Sequence, residues 1–307
     1  MLFSEIIALT IFAVFWWFVY SREAKFFISF FKHKSFNKSL FATFIHVFAV
    51  LGIFCFFYAY FIEPYWLKVV HVNLKTDKLK NSFVLVQISD LHCDAKVRNE
   101  EKLVKIINEI NPDIIVFTGD ALNAEKALGN FKKTLKNLNA KSGKFAVRGN
   151  FDVWYWKDID IFEGTGFIEL DKEAVSFTSA NQDVTIAGLS AESSAENLKF
   201  LEKLPGNYYT VFLSHYPGIN EIIENTAIDL YLTGHTHGGQ FSLPFYGALI
   251  TMSRYGKKYE AGLYALGKDK ALYVNRGIGM EGGVAPRIRF FSRPEITVFY
   301  IGPGKKK

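Results

Sequence analysis

Cysteine is nearly absent from this chain. There are two among 307 residues, Cys55 inside an apolar run and Cys93 beside a polar motif. Two cysteines so placed build no disulfide framework, and nothing in them points to an oxidising compartment. Strong charge is missing too. The formal net charge is +6, and apart from Lys305, Lys306 and Lys307 the basic residues are dispersed. So mild a balance suits solubility beside anionic lipid rather than nucleic-acid binding. No internal repeat or low-complexity segment interrupts the sequence. Two further absences argue against a signal peptide: no basic residue precedes the first apolar run, and no small-residue cleavage site follows it.

Aromatic residues are abundant. They make up 17% of the chain, 31 residues are Phe, and much of the excess lies before residue 65. Two apolar segments open the sequence. Residues 6–20 are short for a span and read as a span or an interfacial helix. Residues 40–62 carry no formal charge, only His46, and a bilayer core takes roughly 20 apolar residues in a helix, so this segment reads as transmembrane. Tyr58, Tyr60, Tyr65 and Trp66 would form an interfacial belt. Arg22, Lys25, Lys32, Lys34 and Lys38 lie between the segments, and Lys68, Lys75, Lys78 and Lys80 follow the second. These two clusters nearly balance, so the side of the membrane stays open. The expected organisation is a membrane anchor over 1–66, a linker over 67–82, a folded domain over 83–302 and a basic tail over 303–307.

From residue 83 the texture becomes that of an α/β domain. Apolar runs at 83–88, 113–118 and 144–147 alternate with helical patterns at 100–110 and 124–138, the first of them ended by Pro112. Runs of this kind between helices read as strands covered on both faces. Further strands are expected at 184–189, 209–213, 229–232, 271–274 and 296–301.

Polar residues recur at the ends of these runs: Asp90 and His92, Gly119-Asp120, Arg148-Gly149-Asn150-Phe151-Asp152, Ser214-His215, and Gly234-His235-Thr236-His237. In α/β sheets, sites form at the carboxyl ends of strands. One Asp after a strand is ordinarily a turn or a cap. Seven Asp, Asn and His residues delivered in this order are a metal site. Asp90 and His92 are two apart, which in extended chain puts them on one face, and His235 and His237 share that spacing between glycines.

The combination Asp-x-His, Gly-Asp, Gly-Asn, a solitary His and Gly-His-x-His resembles the calcineurin-like metallophosphoesterase family over residues 83–300. The resemblance implies an α/β fold: a four-layer sandwich of two mixed β-sheets flanked by helices, here preceded by N-terminal transmembrane helices. It implies two divalent metal ions. Asp90, His92 and His237 would bind one, Asn150, His215 and His235 the other, and Asp120 would bridge both. Manganese is the expected metal, with iron or zinc also suited to mixed imidazole and oxygen ligands. Such a pair lowers the pKa of an attacking water and clamps phosphoryl oxygens.

The chain departs from the family at Phe151, where most members carry a His that protonates the leaving group. A phosphate leaving group, with a second pKa of about 6, departs without that proton. Loss of the His therefore fits a pyrophosphate substrate. With the anchor, this resembles the lipid A diphosphatases that cleave UDP-2,3-diacylglucosamine to UMP and a lipid 1-phosphate, which would place the domain on the cytoplasmic face of the inner membrane. The expected partners are the lipid bilayer and a phosphorylated or nucleotide-linked lipid, with no nucleic acid. Arg148, Asn150, Asp152 and Arg276 are the expected substrate contacts, with Arg287 and Arg289 as further diphosphate ligands. Two alternatives stay open: a phosphodiesterase or phosphatase acting on phospholipid-type esters, and a non-catalytic metal-binding scaffold.

Overall fold

The structure, a computed structural model, describes residues 2–32, 40–191, 195–223, 225–267, 269–282 and 287–304. Lys34 and Lys38 between the apolar segments, and the lysines at 305–307, lie outside them. Helix α1 (Phe3–Phe31) is longer than the expected first segment, at 29 residues. The charges at Arg22, Glu23 and Lys25 end the apolar run but favour helix. Helix α2 (Leu40–Phe57) continues into a π turn (Tyr58–Ile62) and a 3₁₀ turn (Glu63–Tyr65). Both helices are long and apolar enough to cross a membrane. They pack through Val19, Ile45 and Ala49. A Cβ on Gly52 would lie 2.5 Å from Trp16 and Tyr20, so a small residue permits the crossing. His46 Nδ1 and Glu23 Oε1, 2.6 Å apart, tie the pair.

Two mixed six-stranded sheets follow. The first has the order β1 (Lys68–Thr76), β14 (Glu295–Pro303), β2 (Phe83–Ile88), β3 (Ile114–Phe117), β4 (Gly143–Ala146), β5 (Ile168–Glu169). The second has the order β12 (Gly262–Ala265), β13 (Ala271–Val274), β9 (Leu230–Thr233), β8 (Tyr209–Ser214), β7 (Gln182–Leu189), β6 (Glu173–Ser179). Strands β2, β3 and β4 run parallel, as do β7, β8 and β9. Leu85, Val116 and Phe145 of the first sheet meet Val184, Val211 and Leu232 of the second in the shared core. Helices α3 (Glu100–Ile110) and α4 (Leu128–Lys136) cover the outer face of the first sheet through Leu103, Ile107, Phe131 and Leu135. A 3₁₀ segment (Ala195–Lys203) and the short α6 (Asn220–Ile223) bring Leu201 and Ile223 against Phe212 and Tyr231 of the second. Helix α5 (Asn150–Tyr155) and a small hairpin, β10 (Ser242–Leu243) with β11 (Gly247–Ala248), stand beside the strand ends.

The segment expected as a linker is part of the sheet. Strand β1 pairs with β14 from Lys68↔Glu295 to Thr76↔Pro303. Its exposed Lys68, His71, Asn73 and Lys75 mark an edge strand with one wet face, which a search for runs buried on both faces passes over. Strands β6 and β12, also at edges, escaped for the same reason.

Candidate metal centre

Each expected ligand leaves the carboxyl end of a strand. The first sheet supplies Asp90 and His92 after β2, Asp120 after β3 and Asn150 after β4. The second supplies His215 after β8, and His235 and His237 after β9. The two edges are tied across the sandwich, because Gln87 Nε2 donates to Thr233 O at 2.9 Å and His215 Nδ1 lies 2.7 Å from Thr118 O.

The side chains converge in two overlapping groups, Asp90–His92–His237 and Asp90–Asp120–His215, whose ligand atoms lie within 4.8 Å of one another. The first group coincides with one expected ligand set. Asp120 Oδ2 stands between the two sets, 3.5 Å from His92 Nε2 and 3.2 Å from His215 Nε2. His237 Nε2 is 3.4 Å from Asp90 Oδ1. His235 flanks the cluster, its ring 5.2 Å from that of His215, and its backbone N–H donates to the Asp90 carboxylate. Asn150 belongs to the same wall, since its neighbours Gly149 and Phe151 both touch Asp120.

The convergence does not come from strand alternation, as the spacing suggested. Asp90, His92, Asp120, His235 and His237 all take left-handed backbone, with φ between 39° and 69°. Five non-glycine residues held there is a concentration of strain of the sort that active sites carry. Two glycines let the backbones approach: a Cβ on Gly149 would strike Asp120 Oδ1, and one on Gly234 would strike Asp90 Oδ2.

These residues fit a cation pair. His92 Nδ1 and Nε2, His215 Nε2 and Asn150 Oδ1 are buried without a hydrogen-bond partner, an arrangement that costs free energy unless an ion completes it. Burial holds His92 and His235 down to about 4, and burial followed by His92 and Arg289 holds His237 well below the ordinary imidazole range. These three imidazoles are therefore neutral and able to donate a lone pair. Burial raises Asp90, to about 7. Burial also works against the imidazolium of His215, but Asp120 and Asp90 outweigh it and lift His215 to about 10. Without a metal, that proton supplies the positive charge which the carboxylates call for. With Nδ1–H donated to Thr118, His215 turns Nε2 toward the centre, the outer-shell arrangement that orients metal-binding His.

A family model described as "Calcineurin-like phosphoesterase" matches residues 83–239. The chain belongs to the calcineurin-like phosphoesterase family. It is a metal-dependent hydrolase of phosphoester or phosphoanhydride bonds, in a family of dinuclear metal centres. The uncharacterized metallophosphoesterase YkuE of Bacillus subtilis is 33% identical over 80% of this chain and 88% of its own length. The phosphodiesterase YaeI of Escherichia coli is 28% identical over 80% of this chain and 92% of its own. The UDP-2,3-diacylglucosamine pyrophosphatase LpxG of Chlamydia muridarum is 26% identical over 77% of this chain and 90% of its own.

The phosphoesterase uses three of the expected substrate contacts elsewhere. Arg148 pairs with Glu169 at 2.6 Å and donates to Trp156 O and Ile159 O, which consumes its guanidinium. Asp152 is fully buried and accepts from the backbone N–H groups of Asp120, Ala121 and Gly149 at 2.8, 2.8 and 2.9 Å. It props the ligand loops. Arg276 binds the buried Glu295 at 2.6 Å. Arg289 is buried too, donating to the Gly279, Ser292 and Arg276 carbonyls beside His237. All four needs were invisible in sequence, because each partner lies in another segment or is a backbone group.

A cavity of ≈ 840 Å³ reaches the candidate ligands His235 and His237, with Phe151, Tyr155, Trp156 and Arg287 also in its wall. The Phe151 ring meets His92 edge-on with centroids 4.8 Å apart, so carbon occupies the place of the family's proton donor. Three wall residues had no sequence signal. Glu281 borders the cavity, and burial, then the charge of Asp120, raises its carboxyl. Leu9 and Phe12 of α1 also line it.

Proposed function

We propose that this chain is a dinuclear-metal phosphohydrolase working at a membrane, where it cleaves the pyrophosphate of a lipid-linked nucleotide of the UDP-2,3-diacylglucosamine type, giving UMP and a lipid 1-phosphate. One observation carries this reading. The cavity at the candidate metal ligands is lined both by Phe151, which cannot protonate a leaving group, and by Leu9 and Phe12 of the apolar helix α1. A phosphate leaving group needs no proton donor, and a substrate with an acyl part suits the helix. The name of the Chlamydia muridarum relative supports the same substrate class.

In this reading Asp90, His92 and His237 hold one cation, Asn150, His215 and His235 the other, and Asp120 both. Cations so held supply Lewis acidity toward the phosphoryl oxygens and a nucleophilic water at neutral pH. Asp152 keeps the Asp120 and Asn150 loops in register. The aromatic wall excludes water, and Arg287 is the one expected arginine that lines the cavity, where its Nη1 pairs with Asp94 at 2.7 Å.

A second reading, a phosphodiesterase on phospholipid-type esters, is favoured by Glu281. A carboxyl with a raised pKa beside the cavity is a general acid for an alkoxide leaving group, and the Escherichia coli relative is named a phosphodiesterase. Purified chain with manganese, given UDP-2,3-diacylglucosamine, is expected to release UMP. Turnover of phospholipid esters without UMP release would replace the first reading by the second.

A further inference from the structure

Helix α1 is joined to the catalytic domain beside the site. Glu5 is buried and accepts from Thr251 N and Oγ1 at 2.9 and 2.7 Å. The Phe12 ring lies 5.4 Å from that of Phe241.

A second hollow, of ≈ 450 Å³, runs between α1 and the β10–β11 hairpin. Ile7, Ile11 and Phe15 form one wall and Leu243, Tyr246 and Leu249 the other. It adjoins the cavity over the metal ligands, because Phe12 and Leu249 border both. Its outer rim is apolar. Ile11 is 65% exposed, and Phe245 at the hairpin tip is fully exposed in left-handed backbone. An open apolar groove that adjoins the cavity at the candidate metal ligands and follows a helix able to span a membrane has the chemistry for a hydrocarbon tail.

We propose that the groove between α1 and the β10–β11 hairpin seats an acyl chain of the substrate, which reaches the metal site sideways from the bilayer. The inference rests on the membrane phosphohydrolase reading above and adds where the lipid lies.

The test uses full-length protein in nanodiscs. Turnover is measured on short- and long-chain analogues of the acylated nucleotide and on a water-soluble aryl phosphodiester. At equal mole fraction of substrate in the disc, the wild type is expected to favour chains long enough to fill the groove by several-fold, a packing preference because the chain moves from lipid to protein. Ala8→Phe and Ile11→Trp fill the groove, and each is expected to abolish that preference, with aryl ester turnover retained. Ile53→Trp, on the exposed face of α2, is expected to change neither. A phosphatidic acid carrying a diazirine midway along one chain is expected to label α1 and residues 243–249 in the wild type but not in Ala8→Phe. Labelling there without hydrolysis of any lipid would sink the hydrolytic reading and leave the groove standing. Labelling elsewhere, equal labelling by a phosphatidylcholine probe, or an unchanged chain-length dependence in both filled variants would overturn the groove.

Discussion

Replacing Asp152 by Ala separates a prop from a substrate contact. The carboxylate accepts three backbone N–H bonds of 2.8–2.9 Å from the two loops that carry Asp120 and Asn150. Ala would leave three buried donors unpaired, each at about 1–3 kcal/mol. Burial, and then the charge of Asp120, raises Asp152 to about 7; relief of both offsets part of that loss, as does water entering the space. A net destabilisation of about 4 kcal/mol is expected, and for a domain of this size it lowers Tm by roughly 8–16 °C. Displacing Asp120 would also empty the metal centre. The assay is thermal unfolding in detergent, with metal content by elemental analysis of the same sample. Asp152→Asn keeps one acceptor and should fall between the two. An Asp152→Ala protein with wild-type Tm and metal content but a raised KM would refute the reasoning and make Asp152 a substrate ligand after all.

Gly149→Ala, whose added Cβ meets Asp120 Oδ1, is expected to cut kcat/KM by roughly 100-fold, the scale of losing outer-shell support, and steady-state kinetics with metal counting would show it. Phe151→His restores a proton donor at the cavity wall. It is expected to raise turnover of unactivated phosphodiesters by about 10²-fold or more and to leave pyrophosphate cleavage within a few-fold; equal gains on both substrates would show that leaving-group protonation is not what Phe151 gives up. Metal uptake should be pH-dependent in a defined direction. His215, lifted to about 10 by Asp120 and Asp90 against the cost of burial, is protonated at pH 7 and must lose that proton to ligate. Binding is therefore expected to release protons and to weaken as pH falls. Calorimetry in buffers of different ionisation enthalpy reads the release directly, and a value of zero at pH 7 would contradict the assigned role of His215.

The candidate centre is readable in sequence because its expected ligands are local. Asp90, His92, Asp120, Asn150, His215, His235 and His237 each follow a short apolar run, and hydrophobic patterning locates such runs without knowledge of the partner strand. What it could not give was direction. Arg148 and Asp152 flank Asn150 in the chain and Arg276 follows a later strand, yet Glu169, three backbone N–H groups and Glu295 claim them. The left-handed turns at Asp90 and His92 were also hidden, since a two-residue spacing in extended chain suggests the same convergence. Edge strands β1, β6 and β12 fell below a pattern tuned to strands with two dry faces. The contact of α1 with the site had no signature, because Glu5 and Thr251 meet only after the domain has folded between them.

Crystals of the protein grown with manganese, recorded at the manganese absorption edge, test the claim on which the rest depends. Two anomalous peaks are expected, one among Asp90, His92 and His237 and one among Asn150, His215 and His235, with Asp120 touching both. No peak in the cluster, or a single peak held by other residues, would contradict it.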